Sequence, residues 1–159
     1  MKFKKPKREI TEWFLHHSAT DKPGHDDIGW VRNLHVNQNG WDDVSYHYFI
    51  NSKGELQIGR DLEKIPAAQA GHNTNTGAIC LSGVGSSFTL AQFKTLEKLC
   101  NKINKAYKGE VKFKGHKEVY ATECPHYDYK ALLGISKEGF MHLLPPWWEL
   151  SQYLKTLGL

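Results

Sequence analysis

His16, in WFLHHSAT, and His116 and Cys124, both in GHKEVYATECP, are residues of the types that grip a borderline metal ion. Imidazole nitrogen and thiolate sulfur suit zinc, at roughly 2.0–2.1 Å and 2.3 Å. Seven residues lie between His116 and Cys124. Ligands sharing a helix face would sit three or four apart. The segment therefore reads as a loop that leaves a sheet at His116 and folds back to present Cys124, with Pro125 stiffening the chain behind it. On residue types alone a plainer alternative stands beside this one: a small buried cysteine and a hydrogen-bonded surface histidine. His126, just past Cys124, is the rival ligand. Three protein ligands leave zinc a position for water, whose pKa falls to about 7, whereas structural zinc sites usually carry four protein ligands.

The elements that would carry these residues can be read from the pattern. Ile10–His16 is rich in β-formers and ends in turn residues, so it reads as an interior strand with His16 at its C-terminal end. Open α/β sheets carry their sites there. Asp26 or Asp27 can cap a helix running to about Asn39, with Ile28, Val31, Leu34 and His35 on one face and Gly40 as the stop. A hairpin follows, with strands near 45–51 and 55–59 around a turn at Ser52–Gly54. IPAAQAGHNTNTG is a long polar loop of the kind that lines sites, and His72, Asn73 and Asn75 are its pocket candidates. Ala78–Ser82 is a short buried strand. Thr89 and Gln92 form a capping box for a helix to Tyr107, in which Phe93, Leu96, Cys100 and Ile103 repeat at helical spacing and make Cys100 core. Val111–Lys114 leads to His116, Tyr129–Leu133 is a short helix, and a last helix spans about 147–157. The fold class is α/β: a single domain in which helices flank both faces of a mixed central β-sheet.

Composition bounds the function. With 159 residues the chain makes one domain with one core. Hydrophobic residues at 40% and charged residues at 24% exclude disorder. The net charge of +4 is too mild to argue for nucleic acid, and its concentration in MKFKKPKRE marks residues 1–9 as a loose basic leader before a domain at 10–159. Three cysteines at unpatterned spacings give no disulfide framework. No apolar run approaches a membrane span, and no signal-peptide pattern opens the chain. A monomer made in the cytoplasm, without membrane insertion, is expected.

Taken together, WFLHHSAT, DVSYHYFINSKGELQIGRD and GHKEVYATECP resemble the zinc-dependent N-acetylmuramoyl-L-alanine amidases of the phage lysozyme and peptidoglycan-recognition-protein type, over about residues 10–130. The resemblance implies a Zn2+ cofactor held by His16, His116 and Cys124, with Tyr46 beside the metal as a catalytic residue. It implies a catalytic place for Thr122, where phage members commonly have lysine and catalytic recognition proteins have a Thr-Glu-Cys-Pro run. The family often carries His before an Ala-Gly step on the pocket wall, a place filled here by Gln69. The implied reaction is hydrolysis of the amide joining N-acetylmuramic acid to L-alanine, with peptidoglycan or a muropeptide as the bound partner.

A tyrosine hydroxyl aimed at the developing oxyanion is the kind of contribution worth about 3–4 kcal/mol. Glu118 and Glu123 read as solvated carboxylates, His47 as structural, and His17, His25, His35 and His142 as surface or capping groups. The competing readings are a cysteine hydrolase with Cys124 as nucleophile and His116 as base, and a non-catalytic peptidoglycan-binding module. The setting expected is a phage-type endolysin that reaches the cell wall after release by a holin or other export; a cytoplasmic muropeptide-recycling amidase is the alternative.

Overall fold

A computed structural model describes residues 1–142 and 155–158. Its centre is a five-stranded sheet of β1 (Glu12–His17), β2 (Tyr48–Ile50), β3 (Leu56–Ile58), β4 (Thr76–Leu81) and β5 (Lys112–Gly115), in the order β3-β2-β4-β1-β5. β1 runs parallel to both β4 and β5, and β2 parallel to β4. Among the five described strands only the β2–β3 pairing is antiparallel. The sheet is therefore mixed, as the alternation of strand and helix patterns predicts.

Parallel strands covered on both faces should be apolar on both sides. Trp13, Phe14 and Leu15 on β1 and every residue of β4 are buried. One face packs on α2 (Leu90–Ala106), through Leu96, Leu99, Cys100 and Ile103, and on α3 (Tyr129–Leu133). Full burial of a Leu or Ile side chain stabilises by roughly 1.5–3 kcal/mol, so the α2 stripe anchors this layer. The capping box at Thr89 and Gln92 is present, and Cys100 is core. The other face packs on Val31 of α1 (Ile28–Arg32), together with Val44, Phe49 and Cys80. Asp27 caps α1, its carboxylate accepting from the Gly29 N–H at 2.6 Å. The helix expected to reach Asn39 changes character, because Asn33–Gln38 winds as a π-helix. Its wider turn carries His35 into the interior, where Nδ1 accepts from the Ser45 N–H at 3.1 Å. The surface role expected for His35 is thereby corrected.

The leader is not loose. Phe3 packs edge-on against Trp13 with ring centroids 5.9 Å apart, and Pro6 is buried. The Arg8 guanidinium donates to the Leu62 carbonyl at 2.5 Å and the Thr76 carbonyl at 2.7 Å. A basic run looks solvated in one dimension, but its interspersed Phe, Pro and Arg find partners at the N-terminal edge of the sheet. The expected last helix falls on residues 147–157, of which 147–154 lie outside the described residues.

Candidate metal centre and catalytic site

β1 and β5 are parallel neighbours, so their C-terminal ends lie side by side. His16 is near the end of β1, buried to 1% exposure. His116 opens a 3-10 turn, His116–Glu118, directly after β5. Glu118 fixes this turn: its Oε2 accepts from the Gly115 N–H at 2.7 Å and from the Tyr129 hydroxyl. Gly115 is needed there because an added Cβ would lie 2.5 Å from the Tyr129 ring. The loop then returns, with the Lys117 N–H donating to the Cys124 carbonyl at 2.8 Å, and Cys124 arrives beneath β1. The His17 N–H points at Cys124 Sγ, 3.4 Å away, and the Tyr127 hydroxyl donates to the His16 carbonyl.

The result is a convergence of one donor atom each from His16, His116 and Cys124, all within 4.8 Å of one another. His16 Nδ1 and Cys124 Sγ are 3.7 Å apart. Zinc with ordinary bond lengths and tetrahedral angles separates nitrogen from sulfur by roughly 3.6 Å, so this edge has the required size. The donor set of two imidazoles and one sulfur is also one that zinc favours. His126 is excluded from the group: its ring lies against His17, with centroids 4.8 Å apart, and among the described residues only the His16, His116 and Cys124 set converges in this way.

Aromatic rings run through the site in a file. Trp41 packs on His35 at 4.8 Å, His35 on Tyr46 at 5.8 Å, and Tyr46 on His16 at 5.2 Å. His16 meets His116 at 4.8 Å, and Tyr120 stacks on His116 at 5.4 Å. Both end members, Trp41 and Tyr120, are exposed. Thr122 sits in the return loop, its hydroxyl oxygen accepting from the Cys124 N–H at 3.2 Å. That leaves the hydroxyl proton free to donate elsewhere.

Burial dominates the electrostatics. It brings His16 down to about 3, with the charge of neighbouring His116 adding to the effect, so the imidazole is neutral and its nitrogen lone pair is available. Burial also lowers His116. It raises Cys124 to about 11, partly offset by the His17 N–H. A thiol held that high is a poor nucleophile without a cation to draw off its proton, which disfavours the cysteine-hydrolase reading. Burial, reinforced by Cys80 and Cys124, holds Tyr46 well above the usual phenol range, so its hydroxyl keeps its proton and remains a donor.

Three expectations change. Gln69 is not on a pocket wall: it is fully buried and its Oε1 lies 2.9 Å from His16 Nε2. Asn73 likewise turns inward, its Oδ1 accepting from the Ala68 and Gln69 N–H groups, while His72 is exposed. Glu118 is engaged by the backbone and Tyr129 and is not a freely solvated carboxylate. His47 is structural as expected, with Nδ1 accepting from the Ala78 N–H and Nε2 bonding the Lys64 carbonyl. Tyr120, absent from the sequence-level site, carries no signal there beyond its position between the two ligands of its loop.

The family model described as N-acetylmuramoyl-L-alanine amidase matches residues 6–127. The endolysin of Escherichia phage T7 is 31% identical over 157 residues, covering 94% of this chain and 93% of that protein. The endolysin of Enterobacteria phage T3 is 29% identical over 159 residues, covering 96% and 94%. The N-acetylmuramoyl-L-alanine amidase LysC from Clostridium intestinale URNW shares the fold with a TM-score of 0.70 at 22% identity, covering 80% of this chain and 85% of its own. Because the family match takes in most of the chain and the endolysin alignments run nearly from end to end, the chain belongs to the N-acetylmuramoyl-L-alanine amidase family.

Proposed function

We propose that this chain is a zinc-dependent endolysin that cleaves the amide between N-acetylmuramic acid and L-alanine in peptidoglycan. The observation that carries the reading is the meeting of His16, His116 and Cys124 donor atoms within 4.8 Å at the ends of two adjacent parallel strands. Near full-length similarity to phage endolysins supports the lytic setting. Among the described residues no helix is long and apolar enough to cross a membrane.

His16 Nδ1, one His116 ring nitrogen and Cys124 Sγ would hold the ion. Zinc with three protein ligands supplies a Lewis acid and an activated water at neutral pH. The chain's own residues do the rest. His16 and His116 enter as neutral imidazoles, so only the Cys124 proton must leave when the site fills. The His17 N–H at 3.4 Å stabilises the resulting thiolate. Tyr46 stays protonated and donates to the carbonyl oxygen as it gains charge. The free proton of Thr122 serves as a second, weaker donor to substrate.

The test uses purified protein and murein sacculi. Stem peptides with free L-alanine amino termini should be released, phenanthroline should stop the release, and added zinc should restore it. Undiminished release after complete removal of metal, confirmed by elemental analysis, would overturn the metal dependence.

A further inference from the structure

We infer that Gln69 is a positioning residue for the metal centre: through the relay Asn73–Thr76–Gln69 it holds His16 in the one tautomer that offers Nδ1 to the ion. The inference rests on the zinc site proposed above.

The relay can be read without ambiguity because it begins at a backbone carbonyl, which can only accept. Thr76 Oγ1 lies 2.7 Å from the Asn73 carbonyl, so the threonine proton is committed there. With that proton spent, Thr76 Oγ1 has only lone pairs for its other neighbour, Gln69 Nε2, at 2.8 Å. The Gln69 amide is thereby oriented with its NH2 toward Thr76 and its carbonyl oxygen toward His16. A carbonyl oxygen only accepts, so the His16 Nε2 at 2.9 Å must carry the hydrogen. Nδ1 is left as the lone-pair nitrogen, and it is the atom that faces Cys124 Sγ at 3.7 Å.

The relay is enclosed and braced. Gln69 is fully buried and Thr76 nearly so, at 4% exposure. Asn73 Oδ1 accepts from the Gln69 N–H at 3.0 Å and the Ala68 N–H at 3.1 Å, which ties the loop carrying Gln69 to the residue at which the relay begins. A flipped amide would set its NH2 group against the Nε2–H of His16 and its carbonyl oxygen against the lone pairs of Thr76 Oγ1. Metal-binding histidines whose second nitrogen is held in this way lose roughly 10–100-fold in metal affinity when the partner is removed.

The experiment has two readouts, neither of which is turnover. In the metal-free protein, long-range 1H–15N correlation spectra should show His16 as the Nε2–H tautomer. Zinc affinity, measured by competition with a chromophoric chelator, should fall about 10–100-fold in Gln69→Leu and should be kept in Gln69→Glu, whose carboxylate still accepts from Nε2–H. Thr76→Val removes the anchor of the amide without touching Gln69 and should weaken zinc binding with loss of the single tautomer; it also serves if Gln69→Leu does not fold. Unchanged affinity and tautomer in Thr76→Val, or equal loss in Gln69→Glu and Gln69→Leu, would overturn the role of Gln69 while leaving the metal site standing. Failure of the wild-type protein to bind zinc at all would instead remove the site itself.

Discussion

At the scale of single residues, the site separates side chains that hold the ion from side chains that act on substrate. Cys124→Ser should abolish stable zinc binding, because a buried hydroxyl cannot take the place of the thiolate; elemental analysis after dialysis checks this. Tyr46→Phe should keep the metal, since Tyr46 touches His16 only through ring packing at 5.2 Å. Its kcat should fall by about 10²–10³, the usual loss for one oxyanion donor. Normal turnover in Tyr46→Phe would remove the phenol from the mechanism. His47 makes a further residue-level prediction. Burial holds it down to about 4, against an ordinary 6.5. Above 6.5 the ring is neutral whether the chain is folded or not, and its contribution is fully present. As pH falls from 6.5 toward 4, the unfolded chain takes up a proton that the folded one refuses, so stability declines by something on the order of 3 kcal/mol. Urea unfolding across that window, with the His47 ring followed by NMR, checks both the sign and the group. A stability that stays flat would contradict it.

At the scale of elements, the turn after β5 controls His116. Gly115→Ala would set a methyl group 2.5–2.8 Å from the Tyr129 ring, and the ring cannot retreat without releasing Glu118. A loss of about 1–3 kcal/mol in stability is expected, together with weaker zinc binding, because the displaced turn carries a ligand. Thr89→Ala is the contrasting case. It breaks the capping box of α2 and should cost about 1 kcal/mol while zinc affinity stays the same, since α2 packs on the face of the sheet away from His16. Equal effects of the two changes on metal binding would argue against local control by the turn.

At the scale of the whole molecule, the leader and the loop after β3 brace each other. Arg8 joins the Leu62 and Thr76 carbonyls and lies 3.3 Å from the His47 ring. Thr76 belongs to the relay that ends on His16. Removing residues 1–8 should therefore deprive the part-buried Leu62 and Thr76 carbonyls of their Arg8 donor and lower the unfolding midpoint, at roughly 1–3 kcal/mol for each lost bond to the guanidinium. Deletion without a shift in thermal stability would show the leader to be ornamental.

The elements and the type of site are legible along the chain. A run of β-formers ending in His16, a capping box at Thr89, and a His and Cys flanking one loop are local signals, legible because strand periodicity, helix caps and ligand chemistry depend on near neighbours. What depends on distant segments meeting was settled in three dimensions. Folding placed His16 beside His116 by pairing β1 with β5 in parallel, turned Gln69 inward under His16, buried His35 through a π-helical turn, and pinned the basic leader to the sheet. A polar residue in a loop looks the same in one dimension whether it faces solvent or completes a buried hydrogen-bond relay, because the partner that decides the matter is far away along the chain.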